Sequence, residues 1–180
     1  MVPGFLFLIS FTHIPAVKTL MNSFFSTGKG RRPSKFVGLE NYDVLWNDPT
    51  FWKVLTNNII YACGVIPTSI LLSLAMALWV NSKIIGRPFL RFSYFLPTVL
   101  PLIAVGNIWL FFYAPGFGLI DQIASSLGFA SFNILGSQAS SLYGVMAVGI
   151  WKEAGFYMIF YLAGLQAIPP DLKEAAMIEG

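Results

Sequence analysis

Charged and polar residues fall in clumps along this chain, and the stretches between them are apolar for long enough to predict helices. The first runs from about Val2 to Phe25 and is interrupted by His13, Pro15 and Lys18. Pro15 is expected to kink it, and Lys18 to extend its amine towards an interface. The second, from about Leu55 to Val80, holds no charge, and neither does the third, from about Phe92 to Phe112. The fourth, from about Tyr143 to Leu165, carries Lys152 and Glu153 near its middle. Each approaches the ~20 apolar residues that a helix needs to cross a bilayer. The pattern predicts an all-α, polytopic membrane protein with four spanning helices in a single transmembrane domain over residues 1–180.

The intervening segments have their own chemistry. Ser26 to Thr50 is polar and broken by Gly28, Gly30 and Pro33. Asn81 to Arg91 is short and carries Lys83, Arg87 and Arg91 without an acid. Ala114 to Ser141 is nearly uncharged and rich in Gly and Ser, with a short interfacial helix expected over Leu119 to Leu127. Composition agrees with lipid as the main solvent. Hydrophobic residues make up 56% of the 180 positions and charged residues 11%, against about 25% charged in a soluble domain; the mean hydropathy is +0.70. Met1 to Ser10 is apolar, but no positive charge precedes it and no small-residue cleavage site follows, so it starts a spanning helix rather than a signal peptide.

Candidate chemistry is sparse. Ser26-Thr27-Gly28-Lys29-Gly30 lacks the phosphate-loop spacing, so no nucleotide site is read here. The net charge of +3 comes from basic residues between apolar stretches and points to no nucleic acid. One His and one Cys cannot easily build a catalytic or metal set, so neither an enzyme nor a metal or cofactor site is expected. The lone Cys63 forms no internal disulfide. Asn107 is placed to hydrogen-bond a neighbouring helix, and Trp109, Tyr113 and Tyr143 read as interfacial anchors. Lys152 and Glu153 stand apart, because charges near a bilayer centre face a bundle interior or a wet cavity. They point about 100° apart, so each can pair elsewhere. Gly149, Glu153 and Phe156 follow the i, i+4, i+7 stripe of one helical face, with Lys152 at its border. A small residue, a hydrogen-bonding acid and an aromatic ring together suit a sugar.

The C-terminal run is the most specific feature. Pro169 and Pro170 stop the fourth helix. Asp171 is a good N-cap, and Glu174 stands three residues on, as in a capping box. Ala175 and Ala176 are small helix formers that let another surface approach. The sequence Asp171-Leu172-Lys173-Glu174-Ala175-Ala176-Met177-Ile178-Glu179-Gly180 resembles the start of the EAA motif, which marks permease subunits of binding-protein-dependent ABC importers. Glu179 departs from the Asp more usual before that Gly. Gly164 to Pro169, Trp151-Lys152, the run Phe36-Val37-Gly38-Leu39-Glu40-Asn41-Tyr42 and Pro115-Gly116-Phe117-Gly118-Leu119-Ile120 resemble the carbohydrate-uptake branch, including its maltose and sn-glycerol-3-phosphate permeases. The matches span nearly the whole chain, in the family's order.

The resemblance implies a permease of the bacterial inner membrane that translocates a sugar or polyol-type solute. Its partners would be an extracytoplasmic solute-binding protein, cytoplasmic ABC ATPase subunits and a second permease subunit. Asp171, Glu174, Ala175, Ala176 and Gly180 would form the coupling helix that docks on the ATPase, and the fourth helix, with Gly149, Lys152, Glu153 and Phe156, would border the central cavity. About six spanning helices are expected in the family, so a truncated fragment is expected. A non-transporting membrane adaptor and a glycerol phosphate permease are the alternatives. Charge counting slightly favours a cytoplasmic place for the loop bearing Lys29, Arg31, Arg32 and Lys35. The resemblance implies the reverse: the EAA helix and the Lys83 to Arg91 loop inside, and Ser26 to Thr50 outside.

Overall fold

A computed structural model describes residues 2–26, 34–82, 84–130, 133–169, 171, 172 and 178. The described residues are all-α, and the chain falls into two units, 1–56 and 57–180.

In the first unit, α1 (Val2–Leu8), a π-helical turn (Ile9–His13) and α2 (Ile14–Asn22) follow without a break. Pro15 has no N–H to give to the carbonyl of Phe11 and its ring crowds that oxygen. The wider turn absorbs this: the Ile14 N–H reaches Ile9 O, five residues back, and His13 Nδ1 lies 3.2 Å from Leu8 O. The 21 residues Val2–Asn22 are apolar enough to cross a membrane. Beyond them, α3 (Glu40–Trp46) is fastened back to the end of α2. Asn41 Nδ2 donates to Ser23 O at 2.8 Å and to Phe25 O at 3.0 Å, and the Tyr42 and Ser23 hydroxyls lie 2.6 Å apart. Gly38, at φ +60°, makes the turn into α3. The run from Phe36 to Tyr42, legible in sequence only as a family match, is thus a clasp with a mechanical purpose.

Helix α4 (Pro49–Asn81) starts with Pro at its first position, where a missing N–H costs nothing, and Asp48 Oδ1 accepts from the Thr50 N–H at 2.8 Å. At 33 residues it is the longest element and apolar enough to span. In the second unit its buried face is Val65, Ser69, Ser73, Ala77 and Val80, a spacing of three or four that keeps one side inward. Ala77 and Val80 meet Met158 and Leu162 of α8 (Gln138–Ala167), with Leu90 and Tyr94 of α5 (Arg87–Val99) packed against them.

The uncharged stretch read as one span over 92–112 is two helices. α5 ends at Val99, α6 runs Leu102–Phe112, and their axes differ by 101°. Pro101 cannot donate to the carbonyl of Pro97 and steers Leu100 away from helical angles; Leu100 is extended, at ψ 134°. Among the described residues, three helices are therefore long and apolar enough to cross a membrane, or four if the bent pair is one span. A short helix, α7 (Leu119–Ser126), follows, with Leu119 and Ile123 exposed. α8 opens with a Ser137 cap whose hydroxyl accepts from the Ser140 N–H at 3.2 Å, and gives way to extended chain at Ile168, before Pro169.

Candidate functional site

Helix α8 carries the intramembrane charges, and α5 lies closest against it. Their approach is set by Gly155. A Cβ there would collide with the carbonyl oxygen of Tyr94 and stand 2.8 Å from its carbonyl carbon. One turn away, Lys152 Nζ donates to Thr98 O at 3.2 Å, and Thr98 Oγ1 donates back to Lys152 O at 3.2 Å. Hydrogen bonds to a charged group contribute about 1.5–3 kcal/mol each when protected from water.

Beyond the bend, α6 brings an aromatic cluster to α8. The Trp109 ring lies 5.7 Å from Phe112, 5.3 Å from Tyr113 and 5.5 Å from Trp151, centre to centre. These are offset and edge-on distances at which aromatic pairs attract. Trp109 also borders a cavity of about 300 Å³ whose walls include Leu102, Val105, Tyr113, Val145 and Val148. Tyr113 is buried, and its hydroxyl donates to Gly144 O at 2.9 Å. Its role is therefore to tie α6 to α8, a correction to the interfacial-anchor reading, whereas Tyr143 is exposed as an anchor would be. The turn after α6 is built by its glycines. Gly116 has φ +82° and donates its N–H to buried Asp121 at 2.8 Å, and a Cβ at Gly118 would lie 2.6 Å from Phe112 O. Asn107 is exposed, with no hydrogen bond among the described residues.

The four residues proposed from helical spacing do not share one environment. Gly149 is covered by Tyr61 of α4, whose Cζ would be 3.3 Å from a Cβ, and Val65 stands behind it. Lys152 is engaged by α5. Glu153 is half-buried and forms no hydrogen bond or ion pair among the described residues. Phe156 is exposed, with its ring 5.0 Å from Phe160 and 5.6 Å from Tyr157. Of the proposed coupling residues, Asp171 is helical, and Glu174, Ala175, Ala176 and Gly180 lie outside the described residues. Sequence reasoning missed Thr98 and Gly155. Thr98 gives no sequence signal, since its partner is more than 50 positions away; Gly155 has one, as a glycine in the middle of an otherwise strong helix. No cluster of metal-ligating side chains occurs among the described residues.

No protein-family model matches the chain. It is 31% identical over 184 residues to a probable ABC transporter permease protein, YurN, of Bacillus subtilis (strain 168), an alignment covering 100% of this chain and 63% of that protein. It is 30% identical over 167 residues to the sulfoquinovosyl glycerol transport system permease protein SmoG of Agrobacterium fabrum, covering 92% of this chain and 54% of that one. Its fold matches a chain of the bacterial alginate ABC transporter crystallised with an alginate pentasaccharide-bound periplasmic protein, with a TM-score of 0.82 at 21% identity, covering 99% of this chain and 59% of that chain. The fold is therefore that of a polytopic helical membrane protein. Over 92–100% of its length the chain is thus similar to permease proteins of transport systems, one of them named for a sulfoquinovosyl glycerol transport system, and its long apolar helices are those of a multi-pass membrane protein. It spans between 54% and 63% of the length of these two relatives.

Proposed function

We propose that the chain is part of a permease subunit that passes a neutral sugar or polyol across the membrane. An extracytoplasmic binding protein delivers the solute, a second permease subunit completes the pathway, and separate cytoplasmic ATPase subunits drive it. The observation that carries the reading is the run of ordered motifs from Phe36 to Gly180, in a chain that aligns over 92–100% of its length with permease proteins of transport systems. In this reading the segment from Asp171 faces the cytoplasm and couples to the ATPase. The fourth helix borders the pathway. Its contribution narrows to Glu153 and Phe156, because Gly149 is covered by Tyr61 and Lys152 is held by Thr98. With the lysine engaged, and Glu153 without a side-chain partner among the described residues, the acid is the charge offered to a solute, which favours hydroxyl groups over a phosphate and so a sugar or polyol over glycerol phosphate.

The test is uptake by the full-length subunit, reconstituted with its binding protein and ATPase. Glu153→Ala should lower transport about tenfold, the effect of losing a buried hydrogen bond of about 1–3 kcal/mol. Insertion and ATPase binding should stay intact. Wild-type uptake in this variant would remove Glu153 from the pathway.

A further inference from the structure

We propose that Lys152 is a positioning residue: it caps the C-terminal end of α5 and holds the α5–α6 bend, and through that bend it sets Trp109 against Trp151. The proposal goes beyond the transport reading and does not depend on which solute is carried.

The last turn of any helix leaves carbonyls without N–H partners. At the end of α5 this deficit cannot be met along the chain, because Leu100 is extended and Pro101 has no N–H. In a membrane, where water does not reach, such a carbonyl is costly unless the protein supplies a donor. Lys152 supplies one, donating to Thr98 O at 3.2 Å. The cation also sits at the negative end of the α5 dipole, where a positive charge is favoured. Arg87 and Arg91 cannot serve, since they lie in the first turns of α5, at its opposite end. Thr98 returns the bond through its hydroxyl, so the pairing fixes the two helices in both directions. Gly155 lets α8 come close enough for the pairing to form.

What the cap holds is the 101° turn. Trp109 lies on α6 and Trp151 on α8, next to Lys152, and their rings meet at 5.5 Å. If α6 continued the direction of α5, that ring contact and the Tyr113–Gly144 bond would both be lost. One lysine at the bend therefore governs the shape of the cavity wall without touching its contents.

The experiment reads the bend directly. In the full chain, with Cys63→Ser as background and in lipid nanodiscs, spin labels replace Phe89 and Leu110, which are exposed on α5 and α6. With a rise of ~1.5 Å per residue, their backbone separation is about 19 Å for the bent pair and about 31 Å for a continuous helix. A second pair, at Leu71 and Phe160 on the exposed faces of α4 and α8, monitors the rest of the bundle. Lys152→Met should broaden the first distance towards longer values and leave the second unchanged. Lys152→Arg should restore the narrow short distance, and Thr98→Val, which keeps the carbonyl but loses the hydroxyl, should broaden it partly. If Lys152→Met fails to insert, Lys152→Leu, which likewise has no donor, takes its place with the same expectation. A narrow short distance in the Met or Leu variant overturns the proposal. So does loss of both distances together, which would make Lys152 a general folding residue.

Discussion

Replacing Gly155 by Ala tests the packing on which the intramembrane site is built. The added Cβ would overlap the Tyr94 carbonyl oxygen and lie 2.8 Å from its carbon and 3.3 Å from Phe95 Cα. These are backbone atoms inside α5, so no change of rotamer relieves the overlap and α8 must retreat. Two effects oppose each other. Alanine favours a helix over glycine by about 1 kcal/mol, while overpacking costs about 1–3 kcal/mol. The retreat also stretches both 3.2 Å bonds between Thr98 and Lys152 towards the limit at which a hydrogen bond counts. The clash should win, with a net loss of about 2 kcal/mol. Gly164→Ala is the control on the same helix, since a Cβ there meets nothing within 4 Å; it should be neutral or stabilising by up to about 1 kcal/mol. The assay is denaturant unfolding in mixed lipid–detergent micelles, followed by tryptophan fluorescence. Gly155→Ala unfolding at or above the midpoint of Gly164→Ala would refute the close-packing argument.

Two further outcomes are expected. Asn41→Ala should free the carbonyls of Ser23 and Phe25 and cost about 1–2 kcal/mol locally, seen as faster amide exchange at 23–26 and 36–42; Asn41→Asp should not rescue it, because a carboxylate cannot donate, and unchanged exchange in Asn41→Ala would show the clasp to be idle. Ser34→Cys, with Cys63→Ser, should react with a membrane-impermeant thiol reagent in intact spheroplasts if the basic Lys29 to Lys35 loop lies outside; reaction only after the membrane is opened would restore the positive-inside orientation.

The apolar spans were legible because length and hydropathy are properties of the chain read one residue at a time. The bend was not, although its prolines are in plain view. Pro15, Pro67, Pro97 and Pro101 all fall within predicted spans, and the structure treats them differently. Pro15 is absorbed by a π-helical turn, and Pro67 and Pro97 remain inside helices. Of the four, Pro101 marks a break of 101°. A proline says where a helix has lost a donor, but what becomes of the orphaned carbonyls depends on partners the local sequence does not name. At the end of α5 that partner is Lys152, 54 positions away from Thr98.

Gly149, Glu153 and Phe156 lie on one stripe of α8 but meet different surroundings, for a related reason. Spacing fixes which residues point the same way along a helix, but not which neighbour they meet. α8 is long enough to touch α4 through Gly149 and α5 through Lys152 and Gly155, and still to leave Phe156 open. Two adjacent charges on such a helix point about 100° apart and so cannot face the same neighbour. Lys152 points at the end of α5, where a carbonyl and a helix dipole both want a cation. Glu153 has no such partner among the described residues, and a carboxylate at membrane depth is too costly to keep without water, a second subunit or a solute beside it. The pair thus meets two different surroundings: the lysine is engaged at the end of α5, and in the transport reading proposed above the acid is the group left to face the solute.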